Sequence, residues 1–211
     1  MTSSARPRIS ISHLEVLKFL GHPQSPKFIQ MVKEVNQQAT KLLSPIYHIT
    51  EYNNILDHLE QIDNSKMQHC SYFVGVASIG SRLEQEVSHL LDSGLISQGM
   101  VLDAHGTVAV RKVVEETLQA IKIIARKASH CLGDVIVPGV NGDNLQSQRV
   151  ILQALGNQND ISLTEKLLLK PLKSSTFYVP LIHSQEKLQN SIPCKSCSHY
   201  SKQCKRCEIV L

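Results

Sequence analysis

The chain has 211 residues, enough for one domain with a substantial core and a small appendage. Hydrophobic residues make up 42% and charged residues 19%, with no Trp, so a globular core of Ile, Leu and Val is expected. The net charge is only +4, and the main part of the chain lacks a basic face with interleaved aromatic residues. This composition argues against intrinsic disorder and against nucleic acid as a partner.

The segment 1–12 is polar and lacks the apolar core of a signal peptide. No apolar run approaches the ~20 residues needed to cross a bilayer. The sequence therefore predicts a cytoplasmic protein without a membrane partner. Its expected parts are a disordered N-terminus at 1–12, an α+β domain at 13–190 and a cysteine-rich tail at 191–211.

Apolar spacing in the first half alternates between helical and extended patterns, interrupted by Gly and Pro. The expected elements are a helix within Ser10–Gly21, a helix from Pro26 to about Leu43, a strand at Ile46–Tyr52, a short amphipathic segment at Ile55–Ile62 and a buried strand at Ser71–Ile79.

The second half predicts the longest helix, followed by a glycine-rich loop of the kind that often carries function. The expected elements are a helix at Leu83–Leu91, the long helix from Ile96 to about Ala128, a loop to Asn144, a helix at Leu145–Leu155 and strands at Ile161–Lys170 and Ser174–His183.

The tail sequence CKSCSHYSKQCKRC contains two Cys-x-x-Cys pairs, the spacing at which two thiolates grip one metal ion. In a reducing cytoplasm such cysteines bind metal more often than they form disulfides. Zinc and an iron–sulfur cluster both use four thiolates, so both remain open, as does a tail that stays reduced or forms disulfides. The predicted ligands are Cys194, Cys197, Cys204 and Cys207.

Two acidic residues stand out in otherwise apolar segments. Asp103, in LDAHGTVAV, is expected either to hydrogen-bond a neighbouring element or to contact a ligand, while His105 is expected to pack in the core. Glu165, on a predicted strand, could pair with Arg126, attract a bound cation or remain a surface carboxylate. Cys70 and Cys131 are expected to be small buried side chains.

Five segments in this order resemble the activation domain of vitamin B12-dependent methionine synthase and its short stand-alone relatives, over about 14–193. They are EVLKFLG from Glu15, GVASIGSRLEQEV from Gly75, MVLDAHGTVAV from Met100, LQSQRVILQAL from Leu145 and LTEKLLLKPLKSST from Leu163. The resemblance implies a curved antiparallel sheet with packed helices. Short relatives also end in a cysteine-rich tail.

The family binds S-adenosylmethionine and presents its methyl group to an inactive cobalamin that a flavodoxin-like partner reduces. In the family's Arg-x-x-x-Gly-Tyr region this chain keeps Arg126 and a displaced Gly133, without the Tyr. Glu165 matches the acid of the family's Leu-Thr-Glu-Ser motif. The resemblance thus implies Arg126, Gly133 and Glu165 as S-adenosylmethionine contacts, with Asp103 as a further candidate.

Three hypotheses follow for the function. The first is an accessory protein for cobalamin-dependent methyl transfer, working with a corrinoid-binding protein or as part of a split methionine synthase. The second is a redox protein whose tail carries an iron–sulfur cluster that delivers electrons to cobalt. The third is a non-catalytic scaffold that docks a corrinoid protein without binding S-adenosylmethionine.

Overall fold

The computed structural model of the protein describes residues 2–21, 23, 25–53, 71–128, 130–140, 144–156 and 161–182. The strands within these residues are β1 (Thr2–Ala5), β2 (Ile46–Tyr52), β3 (Tyr72–Ser78), β4 (Cys131–Leu132), β5 (Ser162–Leu163), β6 (Leu169–Lys170) and β7 (Ser174–Ile182). The helices are α1 (His13–Phe19), α2 (Pro26–Leu42), α3 (Arg82–Asp92), α4 (Ile96–Lys127) and α5 (Ser147–Leu155).

The main sheet has the strand order β1-β2-β3-β7-β4, and β5 and β6 form a separate two-stranded sheet. Every pairing between these strands is antiparallel. The long helices pack across this sheet instead of alternating with its strands. The structure therefore confirms the expected α+β class with a curved antiparallel sheet.

The central strand, β3, is buried along its whole length because both faces of the sheet are covered. Phe73 and Ala77 point into one core cluster, and Tyr72, Val74 and Val76 point into a second cluster on the opposite face. This is the two-residue alternation of an extended chain. The apolar run SYFVGVASI is thus a strand covered on both sides, as its composition predicts.

Helices α1 to α4 cover one face of the sheet, called here the helical face. The 32-residue α4 is the longest, and it contacts β2, β3, β4 and β7 as well as three helices. Its position matches the long helix expected from Ile96 to about Ala128. None of the described helices is apolar enough over a sufficient length to cross a membrane.

Glu15 links the start of α1 to the middle of α4. Its side chain closes a capping box with Ser12, whose backbone N–H donates to Glu15 Oε2 at 2.8 Å. The second carboxylate oxygen lies 2.7 Å from Lys112 Nζ on α4. Burial raises the pKa of the Glu15 carboxyl, but the hydrogen bonds from Lys112 and Ser12 outweigh burial and leave this pKa below its usual range.

Helix α5 lies on the opposite side of the sheet, called here the α5 face. Ile151 and Leu155, one helical turn apart, pack against Tyr72, Val74 and Tyr178. The two clusters on the two faces are separated by the sheet itself. The α5 face carries fewer packed elements, and this leaves room for a cavity.

The expected disorder of the segment 1–12 is wrong for the described part of that segment. Thr2–Ala5 pairs with β2 in the register Thr2 to Thr50 and Ala5 to Tyr47, and Ile11 is buried in the core. A polar segment can add an edge strand because backbone hydrogen bonds to the neighbouring strand do not depend on apolar side chains. The composition alone does not show this pairing.

The strand expected at Ile161–Lys170 is also wrong, because this segment folds back on itself as β5 and β6. Leu167 has a φ of 61°, and its N–H donates to Thr164 O, which closes a turn. The predicted strand Ser174–His183 corresponds to β7. The segment expected at Ile55–Ile62, the boundary at 190 and the cysteine-rich tail lie outside the described residues.

Candidate functional site

A cavity of about 500 Å³ opens on the α5 face, at the end of the sheet where β2 begins and β3 ends. Ile46 pairs with Ser78, and Ser78 pairs with Ser174, so these three residues stand in one row across β2, β3 and β7. His48 follows Ile46 by two residues and pairs with Val76, so it lies on the same face of the sheet. The cavity is lined by Arg6, Leu43, Ser44, Pro45, Ile46, His48, Ser78, Gly80, Ile161 and Pro171.

Hydroxyl groups at this end of the sheet form a fixed network. Ser78 Oγ accepts the Gly80 N–H at 3.1 Å and lies 2.8 Å from Ser174 Oγ. Ser78 itself is 1% exposed. Gly80 has a φ of 78°, a left-handed conformation that turns the chain from β3 toward α3 and is unstrained only for glycine.

Arg82 and Glu84, at the start of α3, hold the loops beside the cavity. Arg82 Nη2 donates to Ser44 Oγ at 2.9 Å, and Glu84 Oε2 accepts the Leu172 N–H at 2.6 Å. The contact between Glu84 and Leu172 joins the chain segments that begin at Gly75 and Leu163, two of the five that carry the family resemblance. In this chain those segments build one end of the sheet and its cavity.

Asp103 lies on the helical face and forms an ion pair. Its Oδ1 is 2.8 Å from Lys173 Nζ, which also donates to Thr107 Oγ1 at 2.9 Å. The Lys173 side chain is only 17% exposed, whereas that of Asp103 is 53% exposed. Asp103 thus hydrogen-bonds a neighbouring element, the first of the two roles considered for it.

Arg126 and Gly133 lie at the opposite end of the sheet. At about 1.5 Å of rise per residue, Asp103 and Arg126 are roughly 35 Å apart along α4. Gly133 N–H donates to Pro180 O near the end of β7, so this donor is used by the sheet edge. No ligand of the size of S-adenosylmethionine contacts both Asp103 and Arg126 in this arrangement.

Glu165 lies in the exposed turn between β5 and β6, not on the strand expected for it. Among the described residues, no ion pair joins Glu165 to Arg126. The four predicted cofactor contacts are therefore not gathered at one point, and each remains a prediction on its own. The three residues matched to the family motifs are all solvent-accessible to some degree.

The predicted metal ligands Cys194, Cys197, Cys204 and Cys207 lie outside the described residues, as does Cys70. Within the part of the chain that the structure describes, no group of three or more metal-ligating side chains is found. Cys131 is a free cysteine on β4 and is half-buried, so the expectation of a buried side chain holds only in part.

His105 packs in the core, as expected. It is 1% exposed, and neither ring nitrogen has a hydrogen-bond partner. Burial lowers the pKa of its imidazole to about 4, against a smaller opposing effect of the Glu15 carboxylate. The ring is therefore neutral at physiological pH and serves as packing volume.

Arg6, His48 and Ser44 were missed as cavity residues at the level of sequence. A signal was present in β2, where His48 and Thr50 alternate with the buried Tyr47 and Ile49. Such alternation predicts one polar strand face. What covers that face depends on β1 and on the β5–β6 hairpin, which are distant in sequence.

Comparison with solved structures gives a similar fold, a crystal structure of the MetH reactivation domain bound to AdoHcy. The two superpose with a TM-score of 0.55 at 10% sequence identity, over 90% of this chain and 81% of that chain. The chain has the fold of the MetH reactivation domain. No protein-family profile and no curated protein sequence matches it.

The MetH-like fold allows a test of whether the cavity suits S-adenosylmethionine. Its volume falls within the ~300–1,000 Å³ range of small-molecule sites. Of the described residues that line it, Arg6 can pair with a carboxylate, but none is an acid that would offset a sulfonium or ammonium charge. The cavity therefore suits the anionic end of such a ligand better than its cationic centre.

Proposed function

We propose that this protein is an accessory protein of cobalamin-dependent methyl transfer, of the type that reactivates methionine synthase. The supporting observation is the fold shared with the MetH reactivation domain over 90% of the chain. The order of the five motif segments in the sequence agrees with this proposal. In this proposal the protein is cytoplasmic and its partner is a corrinoid-binding protein or a split methionine synthase. A flavodoxin-like protein supplies the electrons.

S-adenosylmethionine is the ligand of this proposal, since the similar MetH domain was solved with AdoHcy. When bound, it supplies the methyl group, and cobalamin is carried by the partner. Glu165 is the residue proposed to attract the cationic centre, because its carboxylate is exposed in the β5–β6 turn and can approach a ligand without unfolding the core. Asp103 and Arg126 are too far apart on α4 to contact one ligand molecule, so Arg126, Gly133 and Asp103 stay separate predictions and Glu165 is the contact tested here.

Titration calorimetry with S-adenosylmethionine is expected to show binding at about one ligand per chain. Glu165→Ala is expected to weaken it roughly tenfold, the loss typical of one charged contact. Lys166→Ala is the matched control, because Lys166 is the next residue in the same exposed turn. It should bind S-adenosylmethionine as well as the unmodified chain.

The absence of binding heat at high micromolar S-adenosylmethionine would contradict this ligand and favour the scaffold hypothesis. Two observations favour that second candidate function: the separation of Asp103 from Arg126 and the use of the Gly133 N–H by Pro180 O. A scaffold would still co-elute with a corrinoid-loaded partner in gel filtration. The two outcomes are therefore separable.

A zinc site in the four-cysteine tail is a further part of this proposal. Protein purified without air is expected to contain about one zinc per chain, and alanine at Cys194 and Cys197 should remove it. Cys131→Ala is the control, because Cys131 lies on β4 and outside the tail. Brown protein with visible absorption would indicate the iron–sulfur hypothesis instead, and protein with neither metal would contradict both.

A further inference from the structure

The cavity beside Ser78 has the volume and the mixed apolar and polar lining of a small-molecule site, and none of its lining residues is among the predicted contacts Arg126, Gly133, Glu165 and Asp103. Ile46, Ile161 and Pro171 supply apolar walls from three different parts of the chain. Apolar walls with a few fixed polar groups are the usual composition of ligand pockets.

The charged groups of the cavity have one sign. Arg6 carries a permanent positive charge, and the second titratable residue in the lining is His48. The described lining contains no Asp or Glu. Arg6 follows Ser4 by two residues, and Ser4 pairs with His48, so the alternation of β1 brings Arg6 to the same face of the sheet.

The polar groups around the cavity are held in place by hydrogen bonds within the protein. Ser78 Oγ is fixed by Gly80 N–H and Ser174 Oγ, and Ser44 Oγ is fixed by Arg82. Ser44 N–H also donates to Ile79 O at 2.8 Å, which ties the start of β2 to the end of β3. A rigid site loses less entropy on binding than a flexible one.

We propose that this cavity binds a small molecule with an apolar or aromatic body and one anionic group, a carboxylate or a phosphate, and that Arg6 binds the anion. The guanidinium presents several N–H donors in a planar fork that matches both anions. The proposal goes beyond the function above, because Arg126 and Glu165 are not part of this lining.

Two pairs of probes test the proposal, and within each pair the adenosine ring is constant. AMP is compared with adenosine for a phosphate, and adenosine-5′-carboxylate with adenosine for a carboxylate. In at least one pair, calorimetry is expected to show the anionic member binding roughly tenfold tighter. The pair that shows the difference identifies the anion.

Arg6→Ala should abolish this preference, and Arg6→Glu should make the anionic member the weaker binder. Arg8→Ala is the matched control, because Arg8 is also exposed but does not line the cavity. Circular dichroism should be unchanged in all three variants, since Arg6 is exposed and outside the core. The proposal is overturned if no probe binds, if both members bind equally, or if Arg6→Ala retains the preference.

A result with S-adenosylhomocysteine also separates the two proposals. Binding of S-adenosylhomocysteine that is lost in Glu165→Ala but unchanged in Arg6→Ala supports the accessory function and places this ligand outside the cavity. The cavity proposal is then overturned unless one of the two probe pairs shows a preference that depends on Arg6. The opposite result supports the cavity and argues against Glu165 as a contact.

Discussion

Urea unfolding is expected to show that His105 lowers the free energy of unfolding by on the order of 3 kcal/mol as the pH falls from about 6.5 to about 4. Above pH 6.5 the imidazole is neutral in both states and has no such effect. Below it, the unfolded chain binds a proton that the buried ring does not accept, so the unfolded state is favoured until the pH passes the folded pKa of about 4.

The variant His105→Leu isolates this effect from that of the other titrating groups. Leu fills the core position with an apolar side chain that cannot bind a proton. The free energy of unfolding of this variant should therefore decline less between pH 6.5 and 4 than that of the unmodified chain. His89→Leu, on the exposed surface of α3, is the control and should retain the full decline. Identical pH profiles for the His105 variant and the unmodified chain would contradict a neutral, desolvated imidazole.

Ile151→Ala is expected to lower the free energy of unfolding by about 2–5 kcal/mol, the range for removing a buried aliphatic side chain. Ile151 is fully buried between α5 and the sheet, where it packs with Tyr72 and Tyr178. The cost should be near the upper end, because the two tyrosine rings contact each other edge to face and leave the site little freedom to collapse.

The neighbouring Leu152→Ala provides the comparison for this effect. Leu152 is only half-buried on the same helix, so its truncation should cost less than about 1.5 kcal/mol. Denaturant midpoints at pH 7 measure both variants. Equal costs would contradict the packing of α5 against this face of the sheet.

The longest elements were predictable because their patterns are long or unambiguous. The helix expected from Ile96 to about Ala128 is α4, and the apolar run around Val74 is β3. Shorter elements were less predictable. The apolar pattern of the segment containing Leu163 and Leu169 predicts one strand. In the structure a turn at Leu167 folds this segment into a hairpin, and the positive φ of Leu167 has no signal in the sequence.

The candidate site was predictable only in part, because motif residues can be structural. Asp103 was identified as unusual, but its partner Lys173 is far along the chain, and only the packed structure brings them to 2.8 Å. Arg6 has no sequence signal of its own, since one arginine in a polar segment resembles any surface residue. Its position depends on β1 pairing with β2.

The sequence by itself determined the α+β class and most of the helices, because helical and extended spacing of apolar residues reflects local backbone geometry. It also identified the thiol pairs of the tail as a metal-ligand pattern. Only the tertiary structure decided which polar residues meet, placing Arg6, His48 and Ser78 around one cavity and Asp103 and Arg126 far apart. Such encounters depend on strand order and register, which join residues distant in sequence and leave no periodic trace in it.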